Sequence, residues 1–360
     1  MRFLPTGEQS EFARTLHGLL GASEVPAAVR AWGAGDHGPG RALWSRLAGT
    51  GLFALAADEA YGGVGPLPVE LALGFVELGR AGVPGPVVET AAAAVLLSEL
   101  ARPGEGGEEG GAGGAGGAGG AGDAGGAGDA GGAGDAGPAK RFLPGLAAGE
   151  ALATLTLPGG GPYALDADAA TYCFTVSAAG ELRLAGGDPG VPLSSTDPAR
   201  RLSRPAPDGE LLAAGPRVLA AAETALGWAR LLTAAQCLGV GEALLASTVA
   251  YVKQRTQFAA PIGSFQAVKH RLADTLLALE FARPLVWAGA LGLAPWEVAA
   301  AKLAAGGAAY ASAMTALQLH GAVGYTEELD LSLWLRKARP LRDAWGSPSQ
   351  CRAAVLRDAP

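Results

Sequence analysis

Residues 251–275 read YVKQRTQFAAPIGSFQAVKHRLADT, and this stretch decides how the C-terminal part of the chain folds. Upstream of it, from 216 to 256, apolar side chains recur at helical spacing with few breakers. The segment AAPIGS (259–264) stops that run, and Ser264 is a candidate N-cap for the next helix. Further helices fit 265–292, 295–319 and about 328–341. The region from 216 to 360 is therefore expected to be made of long helices.

Working back towards the N-terminus, the pattern changes twice. ALATLTL, TYCFTVS and ELRLAG are short runs rich in Thr, Val and Leu, separated by Gly, Pro and Asp. They read as strands of a small β domain spanning 139–215. Residues 104–138 are a Gly/Ala/Asp repeat (GGAGDAGGAGDAGGAGDAG) that offers nothing to bury, and they read as a flexible acidic linker. Within that repeat, GAGGAG (111–116) matches a glycine-rich nucleotide fingerprint by composition alone, since no strand precedes it and no helix follows. Residues 1–103 return to helical spacing, as in ALWSRLAGTGLFAL and LPVELALGFVELGRAG, with a turn at YGGVGP (61–66). The order is α, then β, then α, a fold of the α+β class.

The composition excludes several classes of function. The formal net charge of −7 argues against a nucleic-acid or anionic-membrane partner. Cys173, Cys237 and Cys351 are odd in number and far apart, so neither a disulfide framework nor a zinc spacing is expected. The start of the chain, MRFLPTGEQSEFARTL, lacks the basic-then-apolar layout of a secretory signal, and no membrane span is expected, which suggests a cytoplasmic protein.

Two stretches are more specific than composition: residues 251–275, quoted above, and LQLHGAVGYTEELDLSLWLRKARPLRDAWGS (317–347). Together with ADEAYGG and VELGRAGVPGP nearer the N-terminus, they resemble the acyl-CoA dehydrogenase family, whose pattern runs R-x-x-F-G-x-x-I, then Q-x-x-G-G-x-G-Y/F, then E-G-T/S. The resemblance covers nearly the whole chain except the linker and is weakest in the β segment. It implies an N-terminal helical domain, a middle β domain and a C-terminal four-helix bundle. It also implies FAD as cofactor and an acyl-CoA thioester as substrate, in lipid, fatty acid or steroid side-chain degradation. In that reaction a carboxylate takes the α proton while the β hydrogen leaves as hydride to the flavin, so the base must be aimed in a dry pocket.

Both positions at which the family places that base lack a carboxylate here. In E-G-T/S the glutamate precedes the glycine, and in AWGS that place holds Trp345. Other members carry the glutamate before an arginine on the first bundle helix; that arginine resembles Arg230, and the preceding residue is Ala229. Asp343, Glu327, Glu328, Glu223 and Glu242 are the nearby carboxylates, and a solvated surface face is the expected role for them.

The resemblance also divides the flavin site. In the family one subunit holds the isoalloxazine ring, and its neighbour donates residues to the ADP part. The donated set is matched by Arg255, Phe258, Gln318 and Gly321, with Ala322 replacing a glycine. Arginine suits phosphate because its guanidinium pairs with two oxygens at once. The receiving set departs from the pattern: TLPGGGPYA has neither the acid nor the serine of T-E-P-x-x-G-S-D, and no tryptophan lies between 45 and 227. The expectation is a base-less subunit that completes the flavin site of a homologous subunit in a heterotetramer. The alternatives are a homo-oligomeric, autonomous enzyme with a relocated base, or a substrate other than an acyl-CoA.

Overall fold

A computed structural model describes residues 4–102 and 137–359. The chain opens with helices α1 (Gly7–Gly21), α2 (Val25–Gly33), α3 (Gly38–Ala48), α4 (Pro68–Ala81) and α5 (Val87–Ala101). Thr6 caps α1 through a reciprocal pair with Gln9, which satisfies two otherwise free backbone donors. Almost every residue of α5 from Val87 to Ser98 is buried, so this helix carries no amphipathic stripe and is packed on all sides. The expected linker lies almost wholly outside the described residues.

A short helix that the strand reading of this region does not anticipate, α6 (Pro138–Ala147), follows. PAKRFLPGLA contains Pro144 and Gly145, both poor helix formers, yet the helix holds because Phe142, Leu143 and Leu146 are buried. Phe142 meets the rings of Tyr172 and Phe174 edge-on, at 4.9 and 5.2 Å, and so anchors α6 to the sheet.

The β domain then forms from β1 (Ala153–Thr156), β2 (Ala164–Leu165), β3 (Tyr172–Val176), β4 (Glu181–Ala185), β5 (Leu202–Ser203) and β6 (Gly209–Ala214). Four of these make one sheet in the order β1-β3-β4-β6, in which β1 and β3 run parallel and the other neighbours antiparallel. The register pairs Leu155 with Phe174 and Phe174 with Leu184, and Leu155 and Phe174 lie in the core. β2 and β5 pair separately and carry Leu165 towards the joint with the helices.

The C-terminal region is built from α7 (Pro216–Gln254), α8 (Gln266–Gly292), α9 (Pro295–His320), α10 (Leu331–Asp343) and α11 (Pro348–Asp358). α7 is long and apolar enough to cross a membrane, but 67% of its most apolar window is buried against other helices. Glycines allow this close packing: a Cβ at Gly239 would meet the backbone of Val76 at 1.9 Å, and one at Gly79 would meet Gln236 at 2.2 Å, so α4 and α7 cross with backbones in contact. Ser264 does not cap α8. Its hydroxyl donates to Pro261 O at 2.7 Å, and Phe265 occupies the cap position without a side-chain hydrogen bond. The cause is a one-turn 3₁₀ segment at Ile262–Ser264, which shifts the start of α8 past the serine.

Candidate active site

The turn between α10 and α11 is fixed from below. Lys302, on α9 and 1% exposed, donates through Nζ to the carbonyls of Leu341 (3.0 Å), Arg342 (2.7 Å) and Gly346 (3.4 Å). These include carbonyls that the C-terminus of α10 leaves free, and a cation there also suits the helix dipole. Burial pulls the Lys302 pKa down, as expected for an ammonium removed from water. Arg230 on α7 donates from Nε to Trp345 O at 2.9 Å. Ser347 then starts α11 with a second reciprocal cap to Gln350.

Within this turn Trp345 adopts a left-handed backbone (φ 57°), a costly conformation for a bulky residue. The surroundings hold it there. Its ring points inward, 8% of the residue is exposed, and Nε1 donates to Glu89 Oε1 at 3.0 Å. Gly160 lies against the ring: a Cβ there would come within 2.5 Å of the indole. Gly160 is thus matched to the tryptophan.

Glu89 sits in the first turn of α5, 3% exposed. Burial pushes its carboxyl pKa up; Arg200, the indole of Trp345 and Lys337 pull it the other way. Around this pair, α5 contributes Val88, α7 contributes Thr233 and Gln236, and the β domain contributes Leu165. The space left among them is only ≈20 Å³, room for about one water. Ala229 is fully buried on α7 and offers no charge.

None of the five carboxylates singled out in the sequence reaches this space. Asp343 pairs with its neighbour Arg342 at 3.4 Å, and Glu327 pairs with Arg336. Glu328 and Glu223 are exposed. Glu242 is not a solvated residue. It is largely buried between Arg80 and Arg283 (2.8 Å to the latter), where it ties α7 to α4 and α8. Glu89, by contrast, does reach the space and was not among them. Its sequence signal is a single charge within the apolar run VPGPVVETAAAAVLLS.

The second set of residues lies elsewhere. Arg255 caps the far end of α7, 25 residues beyond Arg230, which at 1.5 Å per residue is about 38 Å away. Beyond it β7 (Thr256–Gln257) and β8 (Ala260–Pro261) form a tight hairpin whose two central residues, Phe258 and Ala259, both have positive φ (52° and 60°). Ala259 stands where the family pattern has glycine. The turn holds Phe258 90% exposed, with its ring edge-on to Phe265 at 6.2 Å. Gln318 is exposed in the last turn of α9, Gly321 ends that helix with φ 63°, and Ala322 is exposed immediately after it.

The two segments meet. Tyr251, one turn before Arg255, stacks on His320 with ring centroids 4.1 Å apart, and its hydroxyl donates to His320 O at 3.4 Å. Arg255, Phe258, Gln318 and Gly321 therefore share one end of the helical region, and the Arg255 guanidinium has no hydrogen-bond or ion-pair partner among the described residues. An exposed arginine beside exposed backbone at a glycine fits a phosphate-bearing group.

Comparison with known proteins agrees with this architecture. Residues 6–105 match the N-terminal domain of acyl-CoA dehydrogenases, and 219–357 match the C-terminal domain. The chain is 32% identical over 348 residues to the acyl-CoA dehydrogenase IpdE2 of Mycobacterium tuberculosis, covering 96% of this chain and 95% of that protein. It is 34% identical over 332 residues to FadE34 of the same organism, covering 83% of this chain but 39% of that longer protein. Among solved structures, butyryl-CoA dehydrogenase from Megasphaera elsdenii superposes with a TM-score of 0.76 at 20% identity, covering 99% of both chains. The ChsE4–ChsE5 complex of M. tuberculosis gives a TM-score of 0.76 at 22% identity, covering 99% of this chain and 98% of the matched chain. From its sequence motifs, its fold and these matches, the chain belongs to the FAD-dependent acyl-CoA dehydrogenase family.

Proposed function

We propose that this chain is the base-less member of a hetero-oligomeric acyl-CoA dehydrogenase. It lends the Arg255–Gln318 end of its helical region to FAD held by a homologous, base-carrying chain, and does not dehydrogenate an acyl-CoA by itself. FAD, when bound, supplies the hydride acceptor; Arg255 would pair with its phosphates, and Phe258, Gln318 and Gly321 would pack against its ADP part. The observation that carries this reading is that Trp345, its indole hydrogen-bonded to Glu89, and the fully buried Ala229 stand at the two positions where the family pattern has a carboxylate. The separation of about 38 Å along α7 supports it, because Arg255 cannot serve a site at Trp345 of its own chain.

An arrangement of two unlike chains has precedent in the fold: structural neighbours include the ChsE4–ChsE5 complex and the Tcur3481–Tcur3483 steroid acyl-CoA dehydrogenase. A cytoplasmic location and a role in lipid or steroid breakdown belong to the same proposal. The experiment is turnover of the isolated chain with short, medium and steroid-side-chain acyl-CoAs and an artificial electron acceptor. Activity at least 100-fold below that of the co-purified complex is expected, since a positioned base contributes about 10²- to 10⁴-fold. Robust turnover by the isolated chain would overturn the reading.

A second reading has one observation in its favour. Glu89 places a buried carboxyl in the slot, so it is the one group there able to act as a relocated base in an autonomous enzyme. Glu89→Gln separates the two: it abolishes activity under the second reading and leaves the activity of the complex within about twofold under the first.

A further inference from the structure

We draw no further inference here: the strongest candidate, the apolar stripe of Leu277, Phe281 and Leu285 along the exposed face of α8, carries none because nothing in the structure shows what covers it.

Discussion

Replacing Trp345 by glycine tests whether the indole is a structural plug, and its magnitude can be worked from the contacts. Removing a buried tryptophan ring costs about 3–5 kcal/mol through lost transfer energy and the cavity left behind. The ring is 8% exposed and backed by Gly160 and Leu341, so little collapse can fill the hole, which favours the upper half of that range. Glu89 Oε1 loses its donor as well, which adds about 1–3 kcal/mol unless water enters. Glycine relieves the left-handed backbone at φ 57°, a gain of about 1 kcal/mol. The net loss is about 4–7 kcal/mol. Denaturant midpoints at matched m-values measure it. Because the hole has the shape of the missing group, millimolar indole should restore about 1 kcal/mol, and benzene-sized ligands less. A loss below about 1 kcal/mol, or no recovery with indole, would show that the ring is not the packed plug described above.

Two further outcomes follow from the same region. Trp345→Glu is expected to give no dehydrogenase activity in the isolated chain, since it sets a second carboxyl beside buried Glu89 without reopening a flavin-ring site; turnover by this variant alone would show that such a site is intact. Asp166 is fully buried, and burial pushes its carboxyl pKa to about 7 although its Oδ1 accepts the Arg201 backbone N–H at 3.1 Å. A raised carboxyl pKa means that the folded state holds its proton more tightly than the unfolded state. The resulting stability is complete below about pH 4 and is lost as pH rises to about 7, by about 4 kcal/mol. Asp166→Asn should remove most of that slope in urea midpoints between pH 5 and 7.5. Glu89, shifted in the same direction, leaves a residue of it, and an unchanged slope would show that Asp166 does not titrate there.

Much of the fold is legible because its punctuation is local. Pro216, Pro295 and Pro348 stand at the first positions of α7, α9 and α11, where a proline costs nothing, and GSP after Trp345 marks a true break. The helix α6 was not legible, because its Pro144 and Gly145 speak against a helix and only the packing of Phe142 on the sheet overrides them. That Trp345 and Ala229 carry no carboxylate is a matter of residue identity and is read directly from the sequence; that these are base positions is what the resemblance implies. What fills the space could not be read that way: Glu89 and Trp345 are 256 residues apart, and no local pattern couples them. The clustering of Arg255 with Gln318 was likewise implied only by family resemblance. The Tyr251–His320 stack supplies the physical link.

The central claim is that this chain completes a flavin site it does not itself contain, and Arg255 tests it most directly. Arg255 ends α7 through its backbone N–H and its side chain is exposed, so Arg255→Ala should leave the fold and assembly unchanged. A charge-assisted, two-pronged contact to phosphate is worth about 2–3 kcal/mol, so losing it should weaken FAD retention by about 30- to 150-fold. Arg255→Lys should recover only part of this, because an ammonium cannot reproduce the planar fork. The measurement is the FAD-to-protein ratio under serial dilution, made on the isolated chain and on the complex co-purified with its homologous partner. The account predicts an isolated chain without FAD, a wild-type complex that retains it, and an Arg255→Ala complex that loses it on dilution. Stoichiometric FAD on the isolated wild-type chain, or an Arg255→Ala complex that holds FAD as firmly as the wild type, would contradict it.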